Sequence, residues 1–168
     1  MIQGIILAAG RGSRLGYLTD NKPKSFNKTG NKRYIDIIID NFIKNKINKL
    51  NIVVGYKKNL FKNFPFKKIH NKKWKSSNIF YSLNKANKLL KLDTCIISYA
   101  DIIYDKEAIK LLVETKGDIV VLNNTNWKKV WKLRFKNPLD DLETFNFSKK
   151  KDIKYLTDIG GKPKSISS

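Results

Sequence analysis

The chain has 168 residues, long enough for one domain with a real core, and its hydrophobic content of 41% is ordinary for a globular protein. Its balance of 35 Lys and Arg against 14 Asp and Glu gives a net charge of +21. Cys95 is the only cysteine, which excludes an internal disulfide framework, and no apolar run approaches membrane-spanning length. So basic a chain points first to nucleic acid, then to phosphorylated substrates, then to a coding bias that favours Lys, Asn and Ile. The lysines fall in nearly every segment rather than on one tail. That spread favours bias with phosphate handling, and a nucleic-acid partner is not expected.

Residues 2–9 form an apolar run broken only by Gln3 and Gly4, which reads as a buried strand. Residues 16–29 are polar and irregular. Pro23 forces Lys22 into an extended conformation and helps turn Lys24 back toward residues 10–14. Gly30-Asn31-Lys32-Arg33 is a turn. Apolar residues at Ile35, Ile38, Ile39, Phe42, Ile43 and Ile47 predict an amphipathic helix over 34–46. Leu50–Val54 is a buried strand ended by Gly55. A short helix over 57–64 stops at Pro65, and 66–69 is a short edge strand. A helix over 77–92 starts at the capping residues Ser76, Ser77 and Asn78. The strand 94–100 ends at Asp101 and contains Cys95, expected as a buried, inert thiol. Lys106–Glu114 is a helix, Gly117-Asp118 a turn, and 119–123 a strand. This alternation predicts an α/β fold with a Rossmann-like, mostly parallel sheet and helices on both faces. After Asn124 the pattern changes, and 144–147 with 153–159 reads as a C-terminal antiparallel hairpin. His70, alone among basic residues, is a surface histidine by default.

The first strand runs into Ala8-Ala9-Gly10-Arg11-Gly12-Ser13-Arg14. Small residues let successive backbone N–H groups close on an anion. Arg11, Arg14, Lys22 and Lys24 add positive charge at the same mouth, the composition of a triphosphate site. A Walker-type loop does not fit, because Gly12 is followed by Ser13-Arg14. A dinucleotide fingerprint does not fit, because Leu15 stands where its third glycine belongs. Asp101 lies where a buried strand reaches the carboxyl edge of the sheet. One carboxylate there, with triphosphate oxygens and water, is a normal way to hold Mg²⁺. The alternative is a turn or capping aspartate. Asn78 and Ser82 share one helix face. Trp127 and Trp131, one helical turn apart, are either core or an aromatic wall for an acceptor.

The segment Leu7-Ala8-Ala9-Gly10-x-Gly12-Ser13-Arg14-Leu15, with Lys22-Pro23-Lys24, closely resembles the signature of the nucleotidyltransferases that make nucleotide-sugars and CDP-alcohols. Residues 77–83 resemble the Asn-x-x-x-Ser-Leu helix start of choline-phosphate cytidylyltransferases, and Gly55-Tyr56 resembles the Gly-Tyr beside the base in the same family. Residues 97–104 and 127–145 look like segments of bacterial cytidylyltransferases for small phosphorylated or phosphonylated acceptors. Gly161-Lys162-Pro163 is similar to the Glu-Lys-Pro stretch whose lysine meets the acceptor phosphate in sugar-1-phosphate relatives. Its first residue departs, being Gly.

The resemblance implies a cytoplasmic, Mg²⁺-dependent enzyme that transfers CMP from CTP to such an acceptor, releasing pyrophosphate and giving an activated product for surface glycan or lipid decoration. It implies catalytic roles for Arg14 and Lys24, and a metal role for Asp101. Nucleotide contacts fall to Leu7, Ala8, Ala9, Gly10, Gly12, Ser13, Gly55, Tyr56, Asn78 and Ser82, and acceptor contacts to Trp127, Trp131 and Lys162. One domain, 1–168, is expected, with a nucleotide core over 1–123 and the start of an acceptor part over 124–168. No membrane is expected, and a homo-oligomer is left open. In the family a second metal carboxylate lies beyond the Lys-Pro stretch. The expectation is therefore CTP binding with poor turnover by this stretch alone. The runner-up readings are a sugar-1-phosphate nucleotidyltransferase using another NTP, and a non-catalytic basic module for nucleotides or RNA.

Overall fold

A computed structural model describes residues 1–137, 142, 144–150 and 153–161. The chain divides into two compact units, Met1–Val121 and Leu122–Ser168.

The first unit is built on a four-stranded, all-parallel sheet. β1 (Ile2–Ala8) lies inside it, with β4 (Leu50–Val54) on one side and β6 (Thr94–Tyr99) on the other, and β5 (Lys67–His70) forms the edge beyond β4. Ala8 pairs with Val54, and Leu7 with Tyr99, so three strands end level with one another. The unbroken burial of β1 and β4 explains their continuous apolar runs, since each needs cover on both faces.

On one face α1 (Tyr34–Lys44) lays Ile35, Ile38, Ile39 and Phe42 over Ile6, Ile52 and Ile96. α4 (Lys106–Glu114) joins this core through Ile109. On the other face Ile5, Leu7 and Val53 meet Trp74, Leu83, Ala86 and Leu89. Polar groups at the sheet's start are linked across strands. Asn51 Nδ2 donates to Gln3 Oε1 at 2.9 Å, and Gln3 Nε2 donates to Asp93 at 2.9 Å. A two-residue hairpin, β2 (Lys28–Thr29) with β3 (Lys32–Arg33), leads into α1.

Three sequence expectations are corrected. The helix expected over 77–92 is two short helices, α2 (Ile79–Asn84) and α3 (Asn87–Leu90). The run Asn84-Lys85-Ala86-Asn87 is weak helix former at both ends, and Ala86 is 1% exposed against the sheet. The kink there seats both Leu83 and Leu89 on one core. The segment 119–123 is irregular rather than a strand. Ile119 is 87% exposed, so this stretch gains neither the ladder nor the burial that a strand needs. The turn after Lys57 is a 3₁₀ turn over Lys58–Phe61, shorter than the helix expected over 57–64. Cys95 is half-buried, and burial holds its thiol above the ordinary range.

In the second unit α5 (Trp127–Arg134) carries both Trp127 and Trp131, and the Trp131 ring meets Phe135 at 6.1 Å. β7 (Thr144–Lys150) and β8 (Ile153–Gly161) pair antiparallel, as the C-terminal sequence pattern predicts.

Candidate functional site

The carboxyl ends of β1, β4 and β6 converge, and the chain leaves each of them into a loop that carries chemistry. This is the edge where open α/β sheets bind ligands. A cleft opens there between the glycine loop, Lys24, Ser25, Ile79 and the segment 99–101.

The glycine loop is shaped by its contacts. Gly12 has φ +77, and a Cβ on it would stand 2.6 Å from Lys24 Cβ. Glycine is therefore required twice, for the left-handed backbone and for the close approach of Lys24. Lys24 N donates to Arg11 O at 3.1 Å, which closes the 11–24 excursion into a tight loop. Thr19, fully buried, donates its hydroxyl to Gly16 O at 3.0 Å and steadies that loop from beneath. Among the described residues, no acceptor takes the N–H groups of Gly10, Gly12 or Ser13. Those donors are open at the end of β1.

Lys24 Nζ lies 2.8 Å from Asp101 Oδ2, each side chain about one-third exposed (31% and 32%). The two chemistry-bearing groups singled out in the sequence, 77 residues apart, thus meet across the cleft. The stretch after Asp101 is pinned from behind. Tyr104 Oη donates to Ser98 Oγ at 2.8 Å, and Asn41 Nδ2 donates to Tyr104 O at 2.6 Å. Burial pushes the Tyr104 phenol above its ordinary pKa, so it stays a neutral donor in this role.

Gly55-Tyr56 borders the loop through the main chain, Tyr56 N donating to Ala9 O at 2.9 Å. A Cβ on Gly55 would stand 2.4 Å from Trp74 Cβ and 2.6 Å from Ala9 O, so only glycine fits. Tyr56 packs on Trp74 in a tilted pair, with ring centroids 5.0 Å apart. Arg11, ion-paired with Asp20, lies 5.8 Å from the Tyr56 ring centroid, and its buried Nε has no partner among the described residues.

Of the residues singled out in the sequence, Leu7, Ala8, Gly10, Gly12, Lys24 and Asp101 line the cleft. Ala9 is buried behind it. Ser13 and Arg14 are exposed in the turn that follows the loop. Asn78 caps α2 by accepting from Tyr81 N at 2.9 Å, beside Ile79 in the cleft wall. Ser82 is 4% exposed, and its hydroxyl accepts from Asn71 Nδ2 at 2.9 Å. Trp127 and Trp131 belong to the second unit. Lys162, with Asp140, Asp141 and Glu143, lies outside the described residues.

Sequence reasoning missed Asn71 and Ser25. Asn71 is fully buried and joins four segments. It donates to Ser77 and Ser82, accepts from Lys73 N, and its own N–H goes to Val54 O. Ser25 lines the cleft at 4% exposure, with no partner for its hydroxyl among the described residues. Ser25 follows directly on the Lys-Pro-Lys motif, a signal available in the sequence. Asn71 offered none.

Asp101 supplies a hard oxygen ligand beside the open loop donors. No cluster of three His, Cys, Asp or Glu side chains is present among the described residues. A lone carboxylate fits Mg²⁺ only where the phosphates of a bound ligand complete the shell.

A glycine loop at the end of a central parallel strand, facing a lysine and a carboxylate, defines the class of α/β nucleotidyltransferases. The chain belongs to the family of the MobA-like NTP transferase domain, whose sequence pattern matches residues 4–153. It is 32% identical over 171 aligned residues to the CTP:phosphoglutamine cytidylyltransferase of Campylobacter jejuni, covering 96% of this chain and 66% of that protein. The structure of CTP:phosphocholine cytidylyltransferase from Streptococcus pneumoniae superposes with a TM-score of 0.55 at 30% identity, over 63% of this chain and 50% of that one. A UDP-glucose pyrophosphorylase complexed with UDP-glucose shares the fold over 97% of this chain and 70% of its own, with a TM-score of 0.70 at 14% identity. The chain therefore spans about two-thirds of its Campylobacter relative and half of its streptococcal one.

Proposed function

We propose that the protein is a Mg²⁺-dependent cytidylyltransferase that moves CMP from CTP to a small phosphorylated or phosphonylated acceptor and releases pyrophosphate. The observation that carries this reading is the meeting of Lys24 and Asp101 at 2.8 Å over a glycine loop with open N–H donors. The relatives' activities supply the nucleotide and the acceptor class.

In this reading an acceptor oxygen attacks the α-phosphorus in line with the leaving pyrophosphate, and no covalent enzyme intermediate forms. The protein aligns the reactants and offsets charge that grows in the transition state. The N–H groups of Gly10, Gly12 and Ser13 cradle the phosphates. Lys24, Arg14 and Arg11 counter the developing negative charge. Asp101 would hold Mg²⁺, whose chemistry is to neutralise and orient the phosphate oxygens. Gly55 and Tyr56 border the base, and Asn78 holds the α2 start beside it. Ser82 acts through Asn71 as a positioning residue. Trp127, Trp131 and Lys162 are assigned to the acceptor. The product would serve the decoration of a surface glycan or lipid, and the enzyme would work in the cytoplasm. No helix among the described residues is long and apolar enough to cross a membrane.

The test is pyrophosphate release with each of the four NTPs, against phosphocholine, glutamine phosphate, an aminoalkylphosphonate and sugar-1-phosphates. Release with CTP and a non-sugar acceptor is expected. Release only with UTP or dTTP and a sugar-1-phosphate would replace the reading with a sugar nucleotidyltransferase. A folded chain that binds no NTP in titration calorimetry would remove it.

A further inference from the structure

Acidic residues are unevenly distributed. From Asn41 to Leu92 the chain contains no Asp or Glu and fourteen lysines, where a chain with 14 acidic residues in 168 would place about four acids. All fourteen lysines are exposed. The fold gathers six of them, Lys57, Lys58, Lys67, Lys68, Lys72 and Lys73, on β5 and the turns that enter and leave it. β5 is a free edge of the sheet.

Two titrating groups report the crowding of charge. Burial first, then Lys58 and Lys72, lower the pKa of His70 at the end of β5. Across the following turn, a hydrogen bond from Lys85 first, then the charges of Lys85 and Lys73, lower that of Tyr81. Lysines from separate segments therefore lie close together, Lys58 with Lys72 at His70 and Lys73 with Lys85 at Tyr81. On α4, by contrast, lysines stand beside carboxylates, Lys106 with Glu107 and Lys110 with Glu114.

We propose that the β5 edge is a docking ridge for single-stranded RNA, separate from the nucleotide cleft. The lysines track a phosphodiester backbone, which a flexible strand can wrap around a sheet edge and its turns. Half-buried Phe66 and Trp74 lie among them in the sequence but are packed inward, Phe66 on the core and Trp74 against Tyr56, so the binding expected here comes from phosphate contacts. A bilayer fits less well. It favours an apolar anchor beside the charge, and between residues 57 and 75 only Leu60, at 42%, is an exposed large apolar side chain.

The experiment is fluorescence anisotropy of a labelled twenty-nucleotide oligouridylate with the full chain, from 50 to 200 mM KCl. Binding is expected to weaken with salt, with a log–log slope of about −0.7 for each phosphate contact. The triple variant Lys67→Gln, Lys68→Gln, Lys72→Gln should lose about tenfold in affinity at 100 mM salt and about two units of slope. CTP binding, measured by calorimetry, should be unchanged. The matched triple Lys106→Gln, Lys110→Gln, Lys116→Gln should leave RNA binding near the parent, with circular dichroism melts confirming that all variants fold. Four results overturn the proposal. These are no binding by the parent at 50 mM salt, equal loss in both triples (diffuse charge only), full displacement of the RNA by CTP (the cleft itself), or capture by phosphatidylglycerol vesicles without RNA binding.

Discussion

Lys24 Nζ and Asp101 Oδ2 stand 2.8 Å apart across the mouth of the cleft, so the lysine assigned to phosphate and the carboxylate assigned to metal neutralise each other. A cation arriving at Asp101 must compete with Lys24 for the same oxygen. Lys24→Gln should therefore bind Mn²⁺, a Mg²⁺ substitute, more tightly than the parent in an electron paramagnetic resonance titration without nucleotide. The same variant should lose about a hundredfold or more in pyrophosphate release. Asp101→Asn should weaken Mn²⁺ binding and slow turnover by a similar factor. With each side chain about a third exposed, breaking the pair should cost no more than about 1 kcal/mol of stability. A large drop in melting temperature with turnover per folded molecule intact would reduce the pair to a structural one.

Gly55 makes a sharper structural prediction. Its missing Cβ leaves room for Trp74 Cβ at 2.4 Å and Ala9 O at 2.6 Å. Both neighbours are fixed close to their backbones, so Gly55→Ala must displace either the glycine loop or the Trp74 turn. Overpacking of this kind costs about 1–3 kcal/mol. Thermal denaturation should show the loss, and calorimetry should show weaker CTP binding in the molecules that remain folded. An unchanged melt would mean that the turn yields freely.

The elements legible in the sequence are those whose signal is local. β1 and β4 announce themselves by continuous apolar runs, and α1 by its three- and four-residue spacing. Gly12 and Lys24 carry a recognisable motif, and their contact follows from it. Residues set by tertiary partners were opaque. Ala86 breaks a periodic helix because the sheet beneath needs Leu83 and Leu89 on the same side. The apolar stretch 119–123 has strand composition but takes no place in the ladder. The lysines looked evenly spread because the telling feature was the absence of acids over 41–92, which a count of lysines does not reveal.

Asp93 predicts the acid limb of stability. Its carboxylate takes Gln3 Nε2 at 2.9 Å and Lys49 Nζ at 3.1 Å, and the N-terminal ammonium lies 3.4 Å away. The hydrogen bond from Lys49 leads the causes that hold its pKa below the ordinary 3.8. The unfolded chain thus binds a proton here more readily than the folded one. The contribution is present above the ordinary value and is lost as pH falls through the depressed one. Asp93→Asn should therefore melt below the parent at neutral pH, and the two curves should converge as the pH falls below the ordinary carboxylate value of 3.8. A gap that stays constant well below that value would assign the effect to packing rather than charge.

Asn71 is the test of how the cleft wall at the start of α2 is held. It is fully buried, and its side chain donates to Ser77 Oγ and Ser82 Oγ, each at 2.9 Å, while accepting from Lys73 N at 2.9 Å. Through Ser77 and Ser82 it grips both sides of the Asn78 cap, and through Val54 O it fixes this turn to the end of β4. Asn71→Ala would leave the Lys73 amide without its side-chain acceptor and two hydroxyls without a donor. Each buried group left unsatisfied costs about 1–3 kcal/mol, so a loss of at least that size is expected in urea denaturation. The more telling readout is kinetic. Because Asn71 holds the wall and does not touch the cleft, the variant should raise KM for CTP several-fold more than it lowers kcat at saturating CTP. Hydrogen exchange should quicken at the Tyr81 amide, which the Asn78 cap protects. A fall in kcat with KM unchanged would place Asn71 in the chemistry instead, and unaltered exchange at Tyr81 would show that the α2 cap stands without it.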